Sequence, residues 1–227
     1  MSSMLHTHRL YESELAKLRE SVLLMGAKTE EILGRGMQAL ADRDVPEAER
    51  LIEIDQQIDE LEVQIDDLAL MILARRQPVA SDLRLIAAVL KIVTDLERVG
   101  DLGVNICERV IELAKMPTLP GQADVCELGR LVGQMLHDAL DAFVRADPVL
   151  ARDVLERDRE IDSRFARIFE AFVARMMEDP QNVDRATRLQ SLARYLERIA
   201  DHATNVAEMV VFMVKGKDVR HSQRGER

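Results

Sequence analysis

The sequence predicts an all-α protein made of two tandem three-helix bundles, six long antiparallel helices related by internal duplication. Three observations carry this. Two segments 100 residues apart read almost alike, Asp95-Leu-Glu-Arg-Val-Gly-Asp101-Leu-Gly-Val-Asn105 and Tyr195-Leu-Glu-Arg-Ile-Ala-Asp201-His-Ala-Thr-Asn205. Such repetition fixes an architecture, and the shared letters here are polar, beyond what packing alone would keep. Second, only six prolines and ten glycines punctuate 227 residues, and aromatics are 3% with no Trp, a composition suited to long helices. Third, apolar residues recur at steps of three and four, and no segment alternates with period two, so no sheet is expected.

The first helix is expected from about Arg9 to Ala41, on the spacing of Leu15, Leu18, Val22, Met25, Thr29, Ile32 and Leu33. Asp44 caps the second, with Pro46 in its first turn. Leu51, Ile54, Ile58, Leu61, Ile65, Leu68 and Ile72 then form one clean stripe, which stops near Arg75-Arg76-Gln77-Pro78, where the arginines suit a helix C-terminus. Ser81 is the expected cap of a third helix reaching about Lys115. Met116-Pro-Thr-Leu-Pro-Gly121 is the strongest breaker in the chain and separates the halves. Asp124 with Glu127 resembles a capping box for the fourth helix. Asp147-Pro148 opens the fifth, Glu178-Asp179-Pro180 ends it, and Asn182 is the expected cap of a sixth running to about Lys215. Short connections make each half an up-down-up bundle, residues 1–118 and 119–215. One continuous six-helix layer is the alternative arrangement. The basic tail, 216–227, lacks an apolar stripe and is expected to be disordered.

A net charge of −10 disfavours a nucleic-acid partner and limits any membrane contact to a local basic patch. Cys107 and Cys126 match no zinc spacing, read as small buried hydrophobes, and suit a reducing compartment. No apolar run approaches the roughly 18 residues that span a bilayer, and the N-terminus lacks a signal peptide's apolar segment. A soluble, cytoplasmic protein is expected.

Packing does not explain a set of carboxylates. Glu53-Ile-Asp55-Gln-Gln-Ile-Asp59 matches Glu156-Arg-Asp158-Arg-Glu-Ile-Asp162. Each half thus has Asp-x-x-x-Asp on its second helix and Glu-x-x-x-Asp on its third. A four-residue step puts both side chains on one face with Cβ atoms about 5–6 Å apart, where like charges repel unless a cation joins them. Carboxylate and amide oxygens are hard ligands suited to Mg, Ca or Mn, and iron and zinc accept carboxylates too. Glu97 interrupts the stripe of Leu90, Val93 and Val104, Asp101 lies at its margin, and Gly100 and Gly103 allow close approach by another helix or an ion. Between Leu51 and Ala74 there are seven acidic residues and no Lys or Arg, whereas Arg152, Arg157, Arg159 and Arg164 intersperse the corresponding helix. The first-half acids therefore need a cation most. The plainer alternative is solvated acids, or acids paired with Arg98 and Arg198.

Other chemistry is weakly signalled. His6 and His8 lie in the frayed N-terminus, His221 in the tail, and His137 at the surface or core edge. His202 points about 100° round the helix from Asp201 and could support a metal site, but its first-half counterpart is Leu102. No Gly-rich phosphate loop, activated Ser or Cys constellation, or His-Glu-x-x-His occurs, so no catalytic residue is assigned.

Pro78-Val-Ala-Ser-Asp-Leu-Arg-Leu-Ile86, Asp95-Leu-Glu-Arg-Val-Gly-Asp101 and Arg194-Tyr-Leu-Glu-Arg-Ile-Ala-Asp-His-Ala-Thr-Asn205 closely resemble the PhoU family, accessory proteins of bacterial phosphate-specific transport. The likeness runs from about Arg9 to Lys215. It departs at Leu102-Gly103, where the family more often has His-Ala. The resemblance implies a non-enzymatic regulator that represses the phosphate-starvation response and restrains uptake. It would link the phosphate transporter's ATPase subunit to a sensor histidine kinase, commonly as a homodimer, with at most a peripheral place at the inner face of the membrane. It also implies metal ions (Mg, Mn, Zn or Fe) held by Asp55, Asp59, Glu97 and Asp101, and by Asp158, Asp162, Glu197 and Asp201. Asn105 and Asn205 are candidates for amide-oxygen ligands or supporting partners. The rival readings are a carboxylate-metal enzyme, a metal buffer, and a structural bundle with solvated acids.

Overall fold

The computed structural model describes residues 2–216, and the side chains of residues 9–216. The tail expected to be disordered lies outside them apart from Gly216, as do the side chains of His6, His8 and His221. Seven α-helices follow in order: α1 (Ser2–Asp42), α2 (Val45–Ile52), α3 (Asp55–Arg75), α4 (Ala80–Leu113), α5 (Gln122–Arg145), α6 (Pro148–Glu178) and α7 (Val183–Lys215), with a 3₁₀ turn at Pro180–Asn182 before the last. No strand occurs among the described residues. Among the described residues, no helix is long and apolar enough to cross a membrane.

The expected second helix is broken in two. Glu53 and Ile54 keep right-handed helical φ and ψ, but their amides bond three residues back, to Arg50 and Leu51. This tighter step bends the axis without a loop. The stripe survives the bend, and Leu51, Ile54, Ile58, Leu61, Ile65, Leu68 and Ile72 are all buried. Each fully buried aliphatic contributes about 1.5–3 kcal/mol.

Asp44 and Asp147 cap as expected. Asp44 accepts from the Glu47 amide at 3.0 Å, and Asp147 from those of Val149 and Leu150 at 2.8 and 3.2 Å. Three other expected caps differ. Helix α4 starts two residues early, with the Val79 carbonyl accepting from Leu83, so Ser81 lies inside the first turn and its hydroxyl faces Asp82. Helix α5 is entered through Gly121 at φ 101°, which puts Asp124 within the helix and leaves Glu127 to pair with Arg130 at 2.8 Å. Asn182 belongs to the 3₁₀ turn, which Asp179 caps instead, at 2.9 Å from the Gln181 amide.

Helices α1, α2–α3 and α4 form one three-helix unit, and α5, α6 and α7 the other. The units lie side by side, α4 against α7 and α1 against α5, so that their apolar residues merge into one core. Gly26 and Gly129 permit this packing, since a Cβ at the first would stand 2.7 Å from Leu140 of α5 and at the second 2.7 Å from Met37 of α1; within the first unit, Gly103 lets α4 approach α1, where a Cβ would stand 2.7 Å from Ile32. Cys107 is buried and its thiol is pushed up to about 12 by that burial. His137 is at the surface, 2.8 Å from Glu30.

Candidate metal centres

Helices α3 and α4 bring Asp55, Asp59, Glu97 and Asp101 to one face of the first unit. Gly100 sets the approach, since a Cβ there would lie 2.9 Å from Asp55 Oδ1 and 3.0 Å from Ile58. The Asp55 carboxylate therefore rests against the α4 backbone. Burial, then the charges of Asp59 and Asp101, push it up to about 6. Glu97 is also raised, by burial first and then by Asp101, with Arg98 opposing and Glu62 and Asp59 adding to the rise. These mutual effects show that acids from the two helices share one field.

Arg98 answers part of that charge. Its Nη1 lies 2.8 Å from Asp101 Oδ2, and its Nε 3.2 Å from Glu97 Oε2 without hydrogen-bond alignment. The guanidinium is itself half exposed. Asp55 Oδ1 and Glu97 Oε2 remain buried with no hydrogen bond. A buried carboxylate oxygen without a hydrogen bond is costly, and hard oxygen donors of this type are ones that Mg, Mn, Zn or Fe accept. The acids meet in field rather than in contact: among the described residues, no three His, Cys, Asp or Glu side chains come close enough together to hold one ion.

The second unit repeats the arrangement on α6 and α7. Burial pushes Asp158 up to about 6, with Asp162, Asp201, Glu197 and Glu208 adding to it. Glu197 is raised by burial and then by Asp201, with Arg194 and Arg198 opposing and Asp162 adding to the rise. Asp201, at the exposed rim, is raised by loss of surrounding water and by Asp162, while His202 and Arg198 hold it down. Among the described residues, no carboxylate oxygen of this second quartet is both buried and unpartnered.

The two asparagines part company. Asn105 Nδ2 donates to the Asp101 carbonyl of its own helix at 2.8 Å. Asn205 Nδ2 instead crosses to Asp95 Oδ1 of α4 at 2.9 Å, and His202 Nδ1 lies 2.8 Å from the same oxygen. His202 thus reaches the seam between the units. Beside it is a groove of about 350 Å³ lined by Leu90, Lys91, Thr94, Asp95, Asn205, Glu208 and Met209.

Sequence reasoning overlooked Glu62, Glu208 and the seam role of Asp95. Glu62 follows Asp55 by seven residues and Asp59 by three, which is the same helix face. Its signal was legible in spacing, but it is not duplicated.

The description "PhoU domain" matches residues 22–110 and again 125–210. The chain is 41% identical over 217 residues to the phosphate-specific transport system accessory protein PhoU homolog of Pseudomonas aeruginosa, covering 95% of this chain and 90% of that one. It is 36% identical over 216 residues to the accessory protein PhoU of Escherichia coli, with 95% and 90% covered. Among solved structures, PhoU from Pseudomonas aeruginosa superposes with TM-score 0.89 at 40% identity, covering 91% of this chain and 100% of that one. The phosphate transport system regulatory protein PhoU from Streptococcus pneumoniae gives 0.84 at 28% identity, covering 92% and 99%.

Proposed function

The chain belongs to the PhoU family, and on that premise we propose that it is a regulator of phosphate uptake and of phosphate-starvation signalling, acting by contact rather than catalysis. The named relatives are accessory and regulatory proteins of phosphate transport, and the chain carries their domain twice. Its partners in this reading are the transporter's ATPase subunit and a phosphate-sensing histidine kinase. It works as a cytoplasmic homodimer held at the inner face of the membrane through those partners.

The single observation that carries the mechanistic part is the acid quartet repeated in register on α3/α4 and α6/α7. Asp55, Asp59, Glu97 and Asp101 would hold a cation in the first unit, and Asp158, Asp162, Glu197 and Asp201 in the second. A bound Mg, Mn, Zn or Fe ion would supply the positive charge that converging carboxylates lack. Within the protein, Gly100 brings the two helices close, Arg98 neutralises the outer edge, and the merged core fixes the surface offered to partners. Regulation through the cation requires loaded and unloaded forms to differ in partner affinity.

The test is capture of the transporter ATPase and the histidine kinase by wild-type protein and by Asp59→Asn/Asp101→Asn, alongside a phosphate-starvation reporter in a deletion strain. Capture of both partners by wild type, weakened in the variant, with repression restored only by wild type, supports the reading. Cation binding with capture of neither partner would leave a metal buffer.

A further inference from the structure

The start of α1, the α3–α4 connection and the finish of α7 lie together at one end of the molecule. Tyr11 hydroxyl donates to Asp82 Oδ2 at 2.8 Å, Arg76 pairs with Glu14 at 3.0 Å, and Arg84 Nε donates to the Met213 carbonyl at 3.2 Å. Helices α6 and α7 turn back on each other at Pro180–Asn182, so the α5–α6 corner reaches the same end. Large apolar side chains face water there: Val79 is 67% exposed, Leu10 59%, Leu83 48% and Val214 38%. A single exposed aliphatic is ordinary, but several on adjoining helix ends mark a contact surface.

The same end is the basic one. Arg9, Arg75, Arg76, Arg84 and Lys215 stand there against Glu12, Glu14 and Asp82. The α5–α6 corner is balanced: Arg145 pairs with Asp141 at 3.0 Å, Arg157 with Asp153 at 3.2 Å, and Arg152 offsets the capping Asp147. The chain leaves this end at Gly216, where a Cβ would stand 3.7 Å from the Arg84 side chain. Residues 217–227 then add Lys217, Arg220, Arg224 and Arg227 against Asp218 and Glu226. The opposite end carries Asp42, Asp44, Glu178, Asp179 and Asp184, with its own exposed Met177. With a net charge of −10, the molecule is electrically polar from end to end, and an anionic surface turns the basic end toward itself. Cations beside exposed aliphatics suit the boundary between lipid headgroups and acyl chains. A fluid bilayer face accepts side chains spread over several helix ends, whereas a folded partner must be shaped to them.

We propose that this end is a peripheral docking surface for anionic phospholipid. Leu10, Val79 and Leu83 enter the headgroup boundary, while Arg75, Lys215 and the basic residues after Gly216 meet lipid phosphates. The contact needs lipid alone. It goes beyond the regulatory reading above and does not rest on it.

Full-length protein is floated with vesicles of equal parts phosphatidylethanolamine and phosphatidylglycerol, and separately with phosphatidylcholine vesicles. Binding to the anionic vesicles, weakened by high salt, is expected, with little to phosphatidylcholine. Arg75→Gln/Lys215→Gln weakens it about 25-fold, at about fivefold for each cation near the surface. Removal of residues 217–227 weakens it about tenfold or more, and so does Val79→Ser/Leu83→Ser through lost apolar burial. Lys115→Gln/Met177→Ser, at the opposite end, leaves binding unchanged, and circular dichroism checks that each variant melts with wild type. The chain has no Trp, so Val79→Trp supplies a single reporter, whose emission moves to the blue on contact with anionic vesicles. Binding to neither vesicle, or equally to both, overturns the inference. So does anionic binding that survives Arg75→Gln/Lys215→Gln and the removal of residues 217–227, or a Val79→Trp emission that stays in place.

Discussion

Asp95 of α4 receives His202 and Asn205 of α7 on one carboxylate oxygen, with the His202 ring nitrogen 2.8 Å away. The two units are thereby joined by a polar contact that has no duplicate, because the counterpart of Asp95 is Tyr195 and that of His202 is Leu102. Side chains of both Asp95 and His202 are more than four-fifths buried. Replacing Asp95 with Ala strands two donors at the seam and should cost about 2 kcal/mol. Urea unfolding measures it. A double-mutant cycle with His202→Ala should give a coupling of at least about 0.5 kcal/mol, and purely additive losses would contradict the contact.

Asp55 makes the sign of a charge effect testable. Its folded-state value is about 6 against an ordinary 3.8, so the folded chain binds this proton more tightly than the unfolded one. The group's contribution to stability therefore falls as pH rises from about 4 to about 6 and stays low above that. Complete conversion of the shift would give about 3 kcal/mol, which solvent screening of this partly exposed group cuts to about 1 kcal/mol. Asp55→Asn should stabilise the chelated protein by that amount at pH 7, and by nothing near pH 3. Equal melting temperatures at pH 7 would count against the crowding of these carboxylates.

Tyr11 hydroxyl donates to Asp82 Oδ2 at 2.8 Å and ties the start of α1 to the start of α4. Burial first, then the bond to Asp82 and the charges of Asp82 and Glu14, push the phenol up to about 12. Its stabilising contribution is complete below pH 10 and is lost as pH climbs through 12. Tyr11→Phe should cost about 1 kcal/mol at neutral pH. Difference absorbance should show a late tyrosinate transition that this variant lacks.

Ala146 ends α5 with φ 50°, a left-handed conformation that costs a residue with a Cβ about 1 kcal/mol. Its amide bonds to Phe143, so the conformation is part of the helix end. Ala146→Gly should raise stability by up to about 1 kcal/mol, because glycine's looser unfolded chain offsets part of the relief. Thermal unfolding decides it, and a lower melting temperature would refute the assignment.

How far the sequence could be read depended on the range of each interaction. The Leu51 to Ile72 stripe and the Asp44 and Asp147 caps are local signals, and they were legible. Gly100 and Gly103 could be seen as places of close approach, though not that the first would meet Asp55 and the second Ile32. The bend at Glu53 and Ile54 left no Gly or Pro to mark it, because both residues stay helical. Ser81, Asp124 and Asn182 looked like caps by type, but a carbonyl at Val79, the turn at Gly121 and the side chain of Asp179 took their places. Asp95 with His202 joins residues more than a hundred positions apart, and no local pattern announces it. The eight duplicated acids stood out because they recur. Glu62 escaped because it occurs once.

The merging of apolar sides between α4 and α7 has a mechanical consequence. Two lobes sharing one interior have no joint about which to swing. Whatever distinguishes one regulatory state of this molecule from another must be written on its outer skin, in the sign and placement of exposed groups, and a partner must read it there as texture rather than as posture.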